Sequence, residues 1–147
     1  MKHIVIIDGG PRKSSQRWQR NGLQNIIIDI NFQMDITLLL DFTSRAQLRE
    51  WFESNHSTCR ECWVVTSRSK NPPCNVIPYV EVVEEALCFG WIDSTVKRLP
   101  DGRLAQRLSP RRKGSHWTDL NKNRCRNLEQ RGLMTDAGRH ALEKANN

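Results

Sequence analysis

Trp91-Ile92-Asp93-Ser94-Thr95-Val96-Lys97-Arg98-Leu99 and Arg103-Leu104-Ala105-Gln106-Arg107-Leu108, parted by Pro100-Asp101-Gly102, form the stretch on which the fold turns. A Pro-Asp-Gly triplet between two β-prone runs predicts an antiparallel hairpin over 91–108. Upstream of it, Pro78 is placed to open a helix carried by Val80, Val83, Ala86 and Leu87 and closed by Gly90. Residues 62–67, rich in Trp and Val, read as a strand, and residues 69–75, with two prolines, as a mobile loop. Ser44 and Gln47 have the spacing of a capping box, and Leu48, Trp51 and Phe52 fall at i, i+3 and i+4 of an amphipathic helix. Downstream, Ser115 is expected to cap a helix reaching about Arg131, with Trp117, Leu120 and Leu128 on one face and Gly132 past its end. Thr135 then caps a short helix holding Ala137, Ala141 and Leu142. Helices packed around a small antiparallel sheet make residues 41–147 an α+β domain.

Residues 1–40 follow another pattern and are expected to form a β-rich extension. Residues 2–7 are β-prone and end in the turn Asp8-Gly9-Gly10-Pro11. Ile28, Ile30, Phe32, Met34, Ile36 and Leu38 alternate with Asp29, Asn31, Gln33, Asp35 and Thr37, the period of one long half-buried strand or two collinear ones. Residues 14–22, basic and polar, read as a loop or a short helix. Unpaired edges on such an extension favour self-association through residues 28–38.

The 147 residues and 17.1 kDa suit one domain with a core of its own. No apolar run approaches the roughly 20 residues of a membrane-crossing helix, and the short run at 4–7 is too brief for a signal-peptide core. A soluble, cytoplasmic protein is therefore expected. The formal charge of +7 is unevenly placed. Between Lys97 and Arg131 eleven cations face only Asp101, Asp119 and Glu129, so that segment holds the whole basic excess. Such a segment gathers anions, whether phosphate, nucleic acid or carboxylate; the alternative is a solvated face that keeps the chain soluble. Five cysteines lack regular spacing, and reduced thiols are the expectation. Cys59 and Cys62 have the spacing of half a zinc site, with His56 and Cys74 near, yet no second pair completes four ligands.

Three strings concentrate special residues: Ala86-Leu87-Cys88-Phe89-Gly90-Trp91-Ile92-Asp93, Ser109-Pro110-Arg111-Arg112-Lys113-Gly114-Ser115-His116-Trp117, and Gly132-Leu133-Met134-Thr135. In this order and spacing the chain resembles the YdeI/OmpD-associated, or bacteriocin-protection, family over residues 42–145, with Trp51, Asn55, His56, Trp63 and Asn121 in the likeness. The resemblance implies a small domain linked to tolerance of bacteriocins or cationic peptides, and to envelope stress. It brings Asn121 into the candidate site. Residues 3–15 resemble the opening of a flavodoxin-like, NADPH-dependent FMN reductase, with Gly10 where that family has a serine. A flavin site needs several βα units, for which residues 1–40 are too few, and no cofactor is expected.

The residues themselves suggest how a site is assembled. Trp91 and Asp93 share a strand face. Arg111, Arg112 and Lys113 fall just before the helix predicted from Ser115, whose free amides and partial positive charge favour an oxyanion. Arginine forks there grip phosphate or carboxylate, and Trp91 or Trp117 supplies a flat wall. The alternative pairs Asp93 with Arg111 or Arg112 and buries the tryptophans as core anchors. The expected function is thus a binding domain with a basic pocket for an anionic or phosphate-bearing ligand, no metal being expected. A second reading is an enzyme using Cys88 or Asp93 with His116, or Ser115 with the same pair. A third is a module that docks a protein partner through its basic face.

Overall fold

In the computed structural model, residues 4–6, 16–21, 24–29 and 36–145 are described, with side chains from 36 to 145. The strands are β1 (Ile4–Ile6), β2 (Gln16–Asn21), β3 (Gln24–Asp29), β4 (Leu38–Leu40), β5 (Cys62–Ser67), β6 (Ile77–Pro78), β7 (Trp91–Arg98) and β8 (Leu104–Pro110). The helices are α1 (Arg45–Asn55), α2 (Tyr79–Cys88), α3 (Asp119–Gln130) and α4 (Asp136–Ala145). The architecture is α+β. Its main sheet runs β1-β4-β5-β8-β7, with β6 also pairing β5, and most of its pairings are antiparallel. The β7–β8 hairpin is the one the Pro-Asp-Gly triplet predicts, from Trp91 opposite Pro110 to Arg98 opposite Leu104.

Alternation along the central strands gives the sheet two buried faces. Leu40, Cys62, Val64, Leu108 and Trp91 pack under the helices with Leu48, Phe52, Val83, Leu87 and Leu128. Leu39, Trp63, Val65 and Ala105 line the opposite face with Ile36, Val76 and Leu99. Residues 36–40, which the sequence pattern groups with the extension, thus belong to the sheet and its core: Leu39 pairs with Trp63 and Leu40 with Val64. Asp41 is clasped by both Nη1 and Nη2 of Arg103, at 2.9 and 3.1 Å, tying the hairpin turn to the end of β4.

One fault in the hairpin is internally repaired. A register shift lies between Asp93 and Val96, and the fully buried Gln106 faces it. Its Nε2 donates to the carbonyls of Ser94 and Thr95 at 3.1 and 3.2 Å, while its Oε1 accepts from Arg68. The bulge would otherwise leave those carbonyls without a partner.

Helix boundaries mostly follow the capping signals. Ser44 caps α1, its hydroxyl accepting from the Gln47 amide while Gln47 Oε1 accepts from the Ser44 amide. Three expectations need correction. Residues 16–21 are strand β2, antiparallel to β3, rather than a loop or helix; a polar sequence does not hinder a ladder held by backbone bonds. Of the two readings of the alternating run, one long strand is excluded, since β3 ends at Asp29 and Ile36 and Thr37 precede β4 outside any strand, and whether two strands run collinear lies outside the described residues. Residues 30–35, on which most of the proposed self-association rests, and most of 3–15, which carry the reductase likeness, lie outside the described residues. The third correction concerns α3, which begins at Asp119 with Thr118 as its cap, not at Ser115. Thr118 Oγ1 accepts from the Asn121 amide at 3.2 Å, and Asp119 sits in the first turn, where the helix dipole favours a carboxylate.

Candidate functional site

The basic string leaves the sheet at the end of β8. The Arg111 amide donates to the Gly90 carbonyl at 3.0 Å, which anchors the exit to the segment following α2. A tight turn follows, closed by the Ser115 amide donating to the Arg112 carbonyl at 3.1 Å. Gly114 takes φ +78° there, left-handed backbone that a residue with a Cβ adopts only with strain.

Arg111 folds back into this turn. Its Nη1 donates to Ser115 Oγ and to the His116 carbonyl, both at 3.3 Å, and its guanidinium lies 3.7 Å from the centre of the Trp117 ring. Nε and Nη2 are shielded from solvent and have no hydrogen-bond partner among the described residues. Burial lowers the Arg111 pKa, against a weaker opposing pull from Cys125 and Asp93. Arg111 makes no ion pair among the described residues. Of the other half-buried arginines, Arg45 and Arg49 bind Glu85, Arg103 binds Asp41 and Arg107 binds Glu61, while Arg124 bonds only the Asn121 amide oxygen; Arg45 also keeps one buried donor, Nη2, without a partner among the described residues. Arg112 and Lys113 are exposed and likewise without an ion pair among the described residues.

Two clefts flank the turn. The smaller, about 190 Å³, lies between the turn and α4 and is lined by Arg111, Arg112, Lys113, Ser115 and Trp117 with Ala137, His140, Ala141 and Lys144. No carboxylate lines it. The wider, about 770 Å³ and open, lies between the same turn and the sheet, where Arg60, Glu61, Ile92, Arg107, Ser109 and Pro110 meet Arg111, Arg112 and Lys113. Its one carboxylate is already engaged: Glu61 accepts from Arg107 at 2.9 Å and from the Trp63 indole at 3.0 Å, and the Arg107 bond chiefly holds its pKa down.

The wall formed by α4 depends on a close approach. Gly138 packs on the end of α2, where an added Cβ would collide with the Cys88 carbonyl and stand 2.8 Å from that of Leu87. The Thr135 hydroxyl and amide also donate to the Cys88 carbonyl, the amide at 3.1 Å. Without glycine at 138, α4 cannot reach this position.

Of the residues that the sequence nominates, the structure brings Arg111, Arg112, Lys113, Ser115 and Trp117 together. Ser115 serves there by closing the turn and holding Arg111, not by capping a helix, so the site has no helix amino end behind it. Trp91 is a core anchor instead of a wall. It is 1% exposed, its indole donates to the His56 carbonyl at 3.3 Å, and its ring meets Trp51 and Phe52 edge-on. Asp93 is paired with neither Arg111 nor Arg112; its Oδ2 accepts from the Tyr79 hydroxyl at 2.7 Å, and Arg68 stacks 4.0 Å from that tyrosine ring. Asn121 lines neither cleft: its Oδ1 accepts from Arg124 on the next turn of α3. His140 and Lys144 were missed. They follow Ala137 and Ala141 at helical spacing, which places them beside the apolar stripe of α4.

Among the described residues no hydrogen bond joins Cys88, Asp93 or Ser115 to the His116 ring. Cys88 is fully buried, and burial pushes its thiol up to about 11. It is therefore neutral at ordinary pH. His116 is exposed, and the Asp93 carboxylate is held by Tyr79. Cys62 is buried with its thiol also raised, and His56 Nδ1 lies 2.8 Å from the Phe52 carbonyl. Among the described residues no group of three His, Cys, Asp or Glu side chains is placed to hold one metal ion. Nor is any described helix long and apolar enough to cross a membrane.

No curated protein and no solved structure matches this chain. The sequence profile of a domain of unknown function, DUF8412, matches residues 40–141, a span that takes in β5 to β8, all four helices but the last residues of α4, and the whole basic turn: the chain belongs to the DUF8412 family.

Proposed function

We propose that this domain binds a phosphate- or carboxylate-bearing ligand in the cleft between the 111–115 turn and α4. Arg112, Lys113 and Lys144 reach the anion, and Arg111 adds positive charge from below. The observation that carries this reading is Arg111 itself. A guanidinium half withdrawn from water without a carboxylate costs free energy, and buried donors left without partners, here its Nε and Nη2, are rare in folded proteins. Here it lies beside a cleft lined by cations and by no acid. An anion seated there relieves the uncompensated charge, which supports binding over a merely solvated basic face.

The likeness of residues 86–93 and 109–117 to YdeI/OmpD-associated proteins supplies a setting for the same proposal, namely tolerance of cationic peptides or envelope stress. The experiment is thermal unfolding with increasing inorganic phosphate at constant ionic strength. Ligand at a hundredfold excess over its Kd stabilises by about 2.7 kcal/mol, or roughly 5–10 °C for a domain of this size. The double variant Arg112→Ala with Lys113→Ala keeps its fold, because both side chains are exposed, and loses the shift. An equal shift in both proteins overturns the assignment of the site.

A further inference from the structure

We infer that the occupant of this site is a nucleic-acid strand whose phosphodiester backbone crosses the 111–115 turn and enters both clefts. The inference rests on the anion-binding reading above and extends it to a substrate class.

Three observations lead there. The two clefts share one wall, since Arg111, Arg112, Lys113, Gly114 and Ser115 line both. An oxyanion of phosphate size suits the 190 Å³ cleft but leaves the 770 Å³ cleft, and with it Arg60, unused. Unpaired positive charge also continues past the turn in both directions. Lys144 stands on the α4 side and Arg60 on the sheet side, each exposed and without an ion pair among the described residues. Cations spaced along a groove, with the single carboxylate neutralised by Arg107, match a repeating anion better than an isolated one.

The lining also favours phosphate over an acidic peptide. Ile92 and Pro110 are the apolar members of the wide cleft, so peptide side chains would find little to pack on. Guanidinium forks fit the two free oxygens of a phosphodiester, and an open groove follows a backbone without reading its bases. Binding is therefore expected to be indifferent to sequence.

The test is fluorescence anisotropy with a labelled oligothymidylate of about 12 nucleotides, a length within the usual range of single-strand sites. Inorganic phosphate and polyglutamate serve as competitors. Contacts from Arg60, Arg112, Lys113 and Lys144 predict a log–log salt slope of about −3, hence about a 50-fold loss of affinity between 50 and 200 mM salt. Arg60→Gln and Lys144→Gln, each on one side of the turn, should lower that slope by about 0.7 apiece and leave the unfolding temperature unchanged. If Lys144→Gln weakens binding and Arg60→Gln does not, the strand does not cross the turn and the inference fails. If phosphate stabilises the protein while the oligonucleotide binds no more tightly than phosphate, the strand is excluded and the small-anion site stands. Polyglutamate displacing the oligonucleotide at equal charge concentration replaces nucleic acid by an acidic peptide. Should neither phosphate nor oligonucleotide bind, both this inference and the anion-binding reading are wrong.

Discussion

Arg111 and Arg112 are neighbours of one residue type with opposite duties. The first stacks on Trp117, braces the turn through Ser115 and the His116 carbonyl, and keeps two donors without partners; the second stands in solvent. The string Arg111-Arg112-Lys113 announces positive charge but not this division, which is set by where β8 ends and how the Gly114 turn reverses the chain. The tryptophans illustrate the same limit. Trp91 and Trp117 look alike in sequence, yet one is enclosed by Trp51 and Phe52 while the other carries a guanidinium. Arg111→Met separates charge from bulk. The thioether chain keeps the contact with Trp117 and removes the uncompensated cation, at the expense of two long hydrogen bonds and a cation–π contact worth about 1–2 kcal/mol when desolvated. These effects oppose one another, so stability by urea unfolding is expected to stay within about 1 kcal/mol of wild type. The stabilisation by phosphate should nevertheless disappear. A fall in stability well beyond that margin would mean that the guanidinium is a structural tie and not a poised charge.

Among the elements, those with self-contained signals were the legible ones. The capping box at Ser44 and Gln47 gives α1, Pro78 and Gly90 bracket α2, and Pro100-Asp101-Gly102 gives the β7–β8 hairpin. Elements whose limits depend on tertiary partners were misread. Ser115 and Thr118 are both acceptable caps in isolation; Ser115 is diverted to the turn because Arg111 and Arg112 reach it, leaving the helix to Thr118. The docking of α4 was also hidden, since Gly138 inside a helix reads as a weakness until the Cys88 and Leu87 carbonyls are seen against it. In this position intrinsic propensity and packing disagree, and packing wins. Gly138→Ala raises helix propensity by about 1 kcal/mol but forces α4 off α2, for a net destabilisation of about 2 kcal/mol. Because α4 carries His140 and Lys144 into the smaller cleft, the variant should also bind phosphate more weakly. Chemical denaturation together with the phosphate titration reads both effects. A variant that is more stable than wild type would show that the close approach does not hold in solution.

On the scale of the whole molecule, the described residues follow one rule for charge and thiols: buried carboxylates are paired and buried thiols are neutral, while the half-buried Arg111 at the basic turn has no carboxylate. Glu85, 1% exposed, is met by Arg45 at 2.6 Å and Arg49 at 3.2 Å, and Arg49 also donates to the Leu133 carbonyl, so this network joins α1 and α2 to the segment before α4. Cys62, Cys88 and Cys125 are buried, and desolvation raises all three thiols. Their neutrality makes the fold sensitive to base. For Cys88 the thiol rises from an ordinary value of 9.0 to about 11 in the folded protein. Between those values the unfolded chain loses its proton and the folded chain keeps it, so fewer protons are bound in the unfolded state and stability falls as pH rises. Below pH 9 the contribution is fully present; by pH 11 about 2 kcal/mol of it is lost. Cys62 and Cys125 act in the same direction. Lysines and Tyr79 titrate in this range too, so the informative quantity is the difference between wild type and Cys88→Ala in urea unfolding at pH 8 and at pH 11. The alanine variant starts less stable because a buried sulfur is gone, and its deficit should shrink by about 2 kcal/mol at the higher pH. A deficit that stays constant across the range would place Cys88 in contact with water, which would reopen the thiol as a nucleophile and undo the argument that this core holds its cysteines for packing alone.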